Sequence, residues 1–283
     1  MSITDPISLT ARLTAAARAR ESRRPDRLFD DPLASALAGP EGVAFMERLE
    51  AAGRVPSAAG PTENPYIAIR TRFFDDFLER AVKESGARQV VLLAAGLDTR
   101  AYRLDWPEGT RLFELDRPEV IAAKQDVLDR ASARARCDRR VLGVDLSGSW
   151  SDLLTAADFD PRQLSVWLIE GLTPYLDEEA AGTVVDRSAV LAATGSCLGA
   201  DVIGRTFLES PWTQSTLDMM AREGAPWKFG TDQPEAFFAA RGWRARISRP
   251  GAPDASPGRW PYPVLPRDFP GIPNTFLVTA VRV

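Results

Sequence analysis

The stretch QVVLLAAGLDTR, residues 89–100, decides the fold class. From Val90 to Ala95 every residue is apolar, and Gly96 then breaks the run. A strand that is apolar on every residue is buried on both faces, as in a parallel sheet covered by helices. Four further runs repeat the theme: RLFEL (111–115), RVLGV (140–144), LSVWLI (164–169) and CLGADVI (197–203). Helical patterns at about 118–130, 150–157 and 177–193 separate them. Upstream, residues 66–84 place Ile69, Phe73, Phe77 and Leu78 on one helical face, with Arg70, Arg72, Asp75, Asp76 and Glu79 between them. The alternation predicts an α/β protein with a doubly wound, mostly parallel sheet.

Outside this core the texture differs. Residues 8–50 read as Ala/Arg/Leu-rich helix broken near Pro25 and Pro32, and 51–65 as a Gly/Pro/Ser-rich linker. Residues 205–232 are aromatic-rich and irregular, with Trp212, Trp227 and Phe229. A short helix near 233–240 and strands at 243–248 and 274–281 follow, the last two forming a hairpin at the sheet edge. The expected organisation is a helical cap (1–65), a ligand-binding core (66–204), a substrate-side insertion or lid (205–242) and edge strands (243–283). Gly204, Gly224 and Gly230 would permit hinges in the insertion.

Composition narrows the chemistry. The chain has 283 residues, 45% hydrophobic and 26% charged, which excludes disorder and a disulfide-dense mini-protein. The net charge of −4 gives no global attraction to nucleic acid or an acidic membrane. Cys137 and Cys197 are too distant in sequence to suggest a disulfide framework or a metal cluster. There is no histidine. A Ser-His-Asp triad, a Cys-His pair, a His-ligated metal and a His base are therefore all excluded. A carboxylate-only magnesium site survives, but no metal is expected. No apolar run approaches the roughly 20 residues that span a bilayer, and no apolar signal segment follows the start. The expectation is a cytoplasmic protein, monomer or homodimer, with no membrane or nucleic-acid partner.

Ligands of open α/β sheets bind beyond the carboxyl ends of the strands. Gly96 follows the first strand, but GxGxxG and a Walker lysine are both absent, so a nicotinamide or ATP cradle is poorly supported. Glu114 and Asp116 share one side of the second strand by period two. Asp116 lies 20 residues after Gly96, the spacing of an acid that accepts from ribose hydroxyls; capping the helix at Pro118 is the competing role. Asp145 at the third tip could accept from an adenine amine with Leu146 packed on the base, or cap a helix. EGLTPYL (170–176) follows the fourth strand, bringing an acid, a hydroxyl and a phenol across the switch point; Tyr175 could instead be core. Three acid- or glycine-bearing tips suit a nucleoside ligand without phosphates.

The segments YIAIRTRFFDDF (66–77), VVLLAAGLDTRAYRLDWP (90–107), FELDRPEV (113–120), VDL (144–146) and EGLTPYL (170–176), with RRPDRLFDDPLA (23–34), resemble the leucine carboxyl methyltransferase family of S-adenosylmethionine-dependent methyltransferases, in its bacterial branch. The likeness covers about residues 10–205 and implies a seven-stranded class I methyltransferase sheet. It implies that Arg70 meets the cofactor carboxylate, Gly96 lines the methionine, Asp116 holds the ribose, Asp145 and Leu146 bracket the adenine, and Glu170 lies by the amino group. An N-terminal basic residue also helps in the family. Arg18 is the better match and Arg20 its competitor, though both read as a solvated helix face. Ala94 stands where the family favours glycine, and Thr173 where it is commonly apolar.

Methyl transfer from a sulfonium is an in-line displacement in which the protein orients and shapes. A carboxylate acceptor, with a pKa of about 4, is already ionised and needs no base. The missing histidine fits such an acceptor. The expected activity is carboxyl O-methylation of a small or medium acidic metabolite, including aromatic polyketide acids, with Tyr175 and Thr173 orienting it. Arg205, Arg222 and Lys228 are candidate carboxylate anchors, though exposed basic residues are more often merely solvated. The alternatives are a phenol or hydroxyl O-methyltransferase with a carboxylate or tyrosine base, a cofactor-binding scaffold that catalyses another reaction, and a nicotinamide oxidoreductase.

Overall fold

The computed structural model describes residues 6–52, 63–256 and 258–283; of the linker at 51–65, residues 53–62 lie outside the described residues. Seven strands form one sheet: β1 (Gln89–Leu93), β2 (Arg111–Asp116), β3 (Asp138–Gly143), β4 (Ser165–Ile169), β5 (Cys197–Ile203), β6 (Trp243–Ser248) and β7 (Thr275–Arg282). Their order is β3-β2-β1-β4-β5-β7-β6. The first five are parallel, and β7 runs antiparallel to both neighbours. The chain reverses its direction of travel across the sheet between β1 and β4, which makes their carboxyl ends the switch point.

The helices are α1 (Pro6–Ser22), α2 (Ala34–Ala52), α3 (Tyr66–Ser85), α4 (Arg100–Arg103), α5 (Pro118–Arg130), α6 (Ser151–Ala156), α7 (Glu178–Leu191), α8 (Arg205–Glu209), α9 (Gln214–Arg222) and α10 (Pro234–Ala239). Side chains alternate along each strand, so one sheet can feed two cores. Val91, Leu93, Phe113, Trp167 and Ile169 face α7 and the ring cluster of Trp150 and Phe159. Val90, Leu92, Leu112, Val166 and Leu168 face α3 through Ile69, Phe74, Phe77 and Leu78. This two-sided burial is why β1 and β4 read as continuous apolar runs.

Three expectations shift. β1 stops at Leu93 rather than residue 95, because Ala94 turns into the left-handed region (φ 55). β3 covers 138–143 rather than 140–144. The 205–232 segment is not merely irregular, since it holds α8 and α9. Two of the three suspected hinges, Gly204 and Gly230, sit at a close backbone contact. Gly204 N–H donates to Asn274 O at 2.8 Å, and Thr231 N–H to Ile203 O at 2.9 Å. A Cβ on Gly230 would lie 2.7 Å from Gly204 O, so these glycines allow two backbones to touch. The closing strands do pair at the sheet edge, but β6 is the edge and β7 the inner strand.

Candidate active site

One cavity of about 1510 Å³ opens beyond the carboxyl ends of the parallel strands. It gathers Arg70, Gly96, Asp116, Asp145, Leu146 and Glu170, with Arg18 and Tyr175 also on its wall. The turn after β1 is the sharpest feature. Ala94 and Gly96 both have positive φ (55 and 50), a region costly for residues with a Cβ and free for glycine. Asp116 holds this turn: its Oδ2 accepts Gly96 N–H at 2.6 Å, and its Oδ1 accepts Arg117 N–H at 2.7 Å. Arg117, not Asp116, is the N-cap of α5. Burial raises the Asp116 carboxyl above its ordinary value, against the two N–H groups that lower it. A carboxylate offers about four lone-pair directions, so Asp116 keeps capacity for ribose hydroxyls.

At the β3 tip, Asp145 is exposed and its Oδ1 accepts from Ser147 N–H (2.9 Å) and Oγ–H (2.8 Å), closing a turn rather than capping a helix. Leu146 packs on the core from the cavity side.

At the β4 tip, Glu170 is clamped. Its Oε1 accepts from Arg70 Nε and its Oε2 from Arg100 Nη1, both at 2.8 Å. Burial alone would raise this carboxyl, but Arg100 and then Arg70 outweigh it and hold it below the ordinary value. Arg70 also donates from Nη1 to Asp201 Oδ2 at 2.8 Å. Asp201, at β5, accepts Gly171 N–H at 2.5 Å and the Tyr66 hydroxyl at 3.2 Å. The charges continue as a chain. Arg100 meets Asp98 and Asp75; Arg103 binds Asp75 through both oxygens and approaches Asp31 at 4.0 Å; Asp31 pairs with Arg18 at 2.8 Å. Four guanidinia thus alternate with five carboxylates, one negative charge in excess. Sequence reading assigned Arg70, Glu170 and Arg18 but missed Arg100, Asp98, Asp201, Asp31 and Tyr66. The signal was the density of charge within LDTRAYR and the lone acid in CLGADVI.

Arg18 and Arg20 are not a solvated face. Arg18 is buried, its Nη2 donating to Leu97 O at 2.6 Å, which ties α1 to the β1 turn. Arg20 is half-buried and engages both oxygens of Glu50 (3.0 and 2.8 Å). Thr173 does not line the cavity; its hydroxyl donates to Asp201 O at 2.9 Å, so it braces the loop instead of orienting a substrate. Arg205, Arg222 and Lys228 are exposed and outside the cavity lining, which removes them as carboxylate anchors. Tyr175 is on the cavity wall, edge-on to Trp227 at 6.2 Å. Burial raises its phenol above the ordinary value, only partly offset by Trp227 and Thr10 beside it.

A seven-stranded sheet of this order with an antiparallel seventh strand, and a cavity at its switch point, defines a class I methyltransferase fold. Residues 11–189 match the leucine carboxyl methyltransferase family. The chain belongs to this family of S-adenosylmethionine-dependent methyltransferases. A relative from Frankia alni, named "Putative S-adenosyl-L-methionine-dependent methyltransferase", is 49% identical over 211 residues, 71% of each chain. A relative of the same name from Parafrankia is 42% identical over 242 residues, 85% of this chain and 77% of its own. In architecture, the crystal structure of a DUF574 family protein from Streptomyces avermitilis superposes with a TM-score of 0.64 at 15% identity, covering 97% of both chains.

Proposed function

We propose that the chain methylates a carboxylate on a small or medium acidic metabolite by in-line displacement, without an essential general base. The observation that carries this reading is that the acid and the two phenols gathered at the β4 tip, Glu170, Tyr66 and Tyr175, are all poor proton acceptors. Both oxygens of Glu170 are committed to guanidinia and its carboxyl is held low. The phenols of Tyr66 and Tyr175 are both raised, and Tyr66 already donates to Asp201. Asp116 is raised, but it sits at the β2 tip, with β1 between it and β4. A phenol or alcohol acceptor has to give up a proton, and these groups are ill suited to take it; a carboxylate acceptor has none to give up.

The residues fit S-adenosylmethionine. Its sulfonium and ammonium outnumber its carboxylate by one charge, and the buried network is negative in excess, the sign that compensates it. Buried charges are tolerated when compensated. Arg70 would receive the carboxylate, Glu170 the amino group, Gly96 the methionine chain, Asp116 the ribose, and Asp145 with Leu146 the adenine. When bound, the cofactor supplies an electrophilic methyl. The chain's own groups fix the line of approach and exclude water, and Tyr175 faces the acceptor end.

The test is a matched panel of carboxylic acids, phenols and alcohols, with S-adenosylhomocysteine release followed against pH. Turnover of acids to base-labile methyl esters, flat from about pH 6 to 9, supports the proposal. Turnover of phenols or alcohols alone, rising steeply with pH, overturns it in favour of a base-assisted O-methyltransferase.

A further inference from the structure

The cavity has two halves of opposite character. The half formed at the tips of β1 to β4 carries Asp98, Arg100, Asp116, Asp145 and Glu170. The half contributed by residues 203–275 carries no charged side chain among the lining residues described. Two aromatic groups build it. In the α8–α9 segment Phe207 lies on Trp227, ring centres 5.4 Å apart, and Trp227 meets Tyr175. The connection between β6 and β7 supplies Trp260 and Tyr262, 5.1 Å apart, followed by Leu265 and Ile272. Trp212 and Tyr262 line the cavity yet are 62% and 49% exposed. The apolar wall therefore runs from the polar strand tips out to solvent.

Size points the same way. A pocket that buries one drug-sized ligand measures about 300–1,000 Å³. At about 1510 Å³ this cavity holds the cofactor and a second molecule of comparable bulk. We infer that the acceptor is an amphiphilic acid: a single carboxylate on an apolar body, extended or polycyclic, long enough to reach Trp212 and Tyr262. Small polar acids leave that half of the cavity unfilled. The head group of this acceptor rests on the carboxyl-transfer reading above; the apolar body does not.

The experiment separates the two. Full-length protein saturated with S-adenosylhomocysteine is titrated with straight-chain monocarboxylic acids of about four to sixteen carbons, and with the matching alcohols, by calorimetry. Each buried methylene contributes about 0.8 kcal/mol, or roughly fourfold in affinity. Affinity is expected to climb by that order per methylene and then level off. Trp212→Ala and Tyr262→Ala, at exposed positions that leave the core intact, should each weaken the long acids about tenfold and the shortest less than twofold. Val190→Ala, at an exposed apolar residue outside the cavity lining, should change neither, which separates site binding from adsorption. A flat dependence on chain length, preference for short polar acids or dicarboxylates, or an equal effect of Val190→Ala overturns the inference. The same climb with alcohols, and no preference for acids, keeps the apolar body and discards the carboxylate.

Discussion

The Asp116 carboxylate at the end of β2 accepts the backbone N–H of Gly96, just beyond β1, at 2.6 Å. The acid is therefore both a part of the ligand wall and the clasp of the tightest turn in the site. Asp116→Ala leaves the Gly96 and Arg117 N–H groups without their acceptor, at about 1–3 kcal/mol for each such group that stays buried. S-adenosylmethionine affinity, measured by calorimetry, should fall at least tenfold. Asp116→Asn, which keeps one acceptor oxygen, should retain more of the stability than of the affinity.

Ala94 and its φ of 55 give a prediction of opposite sign. A residue with a Cβ in that region costs about 1–2 kcal/mol, and glycine forfeits roughly 0.5–1 kcal/mol of chain entropy in return. Ala94→Gly should stabilise the fold by up to about 1 kcal/mol, read as a higher urea midpoint at unchanged slope.

The two N-terminal arginines separate in a stability measurement. Arg18 is buried on Asp31 and Leu97 O, so Arg18→Met leaves the buried Asp31 with the Thr99 hydroxyl at 2.6 Å and, as its remaining cation, only the more distant Arg103, and should cost about 3–5 kcal/mol. Arg20 is more exposed and paired with Glu50; Arg20→Met should cost about 1 kcal/mol or less. Urea titration of both variants reads this directly. Loosening of α1 should accompany only the first, as earlier proteolysis.

Thr173→Val tests the reassignment of that residue. Losing the bond to Asp201 O should lower stability by about 1 kcal/mol. The acceptor KM should not change, because the side chain is outside the cavity lining.

Acid sensitivity follows from the buried carboxylates. Burial would raise Asp98, but Arg100 foremost, then Lys124 and Arg103, hold it at about 2. Asp31 and Glu170 are also lowered. A carboxyl lowered in the folded state stabilises fully above its unfolded pKa near 4, and that stability is lost as pH falls through the folded value. Asp116, raised by burial, acts in the opposite direction. Stability should therefore drop between about pH 4 and 2. Asp98→Asn should show a deficit of about 2 kcal/mol at neutral pH that narrows across this window.

The central sheet was legible because β1 and β4 are buried on both faces, and a doubly buried strand leaves a short apolar run whose length and bounding glycines set it apart from a buried helix. Asp116 was legible from its spacing to Gly96. The charge chain was not. Arg100 sits on a helix of four residues and Asp201 in the middle of an apolar strand, so neither belongs to a period, and only the fold brings Asp201 to Arg70. Arg205, Arg222 and Lys228 are exposed, as basic residues of an insertion more often are, because charge alone does not tell which face turns inward. The aromatic character of 205–232 was legible, and the fold puts Phe207, Trp212 and Trp227 on the cavity wall. Its counterpart at Trp260 and Tyr262 was not legible, because a Pro-rich connection has no pattern that announces a wall.

The position of β7 bears on how the protein comes to exist at all. β5 is completed on one side by β4 and on the other by β7, with Cys197 opposite Val281 and Ile203 opposite Thr275. More than seventy residues separate the two strands. During biosynthesis β5 emerges long before its second neighbour and presents an apolar, unpaired edge for that interval, the kind of edge that recruits other chains. Such a distant pairing also slows assembly. Yield of the native molecule in a cell should thus depend on how long nascent chains are kept apart, and chaperone supply should matter more to it than the stability of the finished fold.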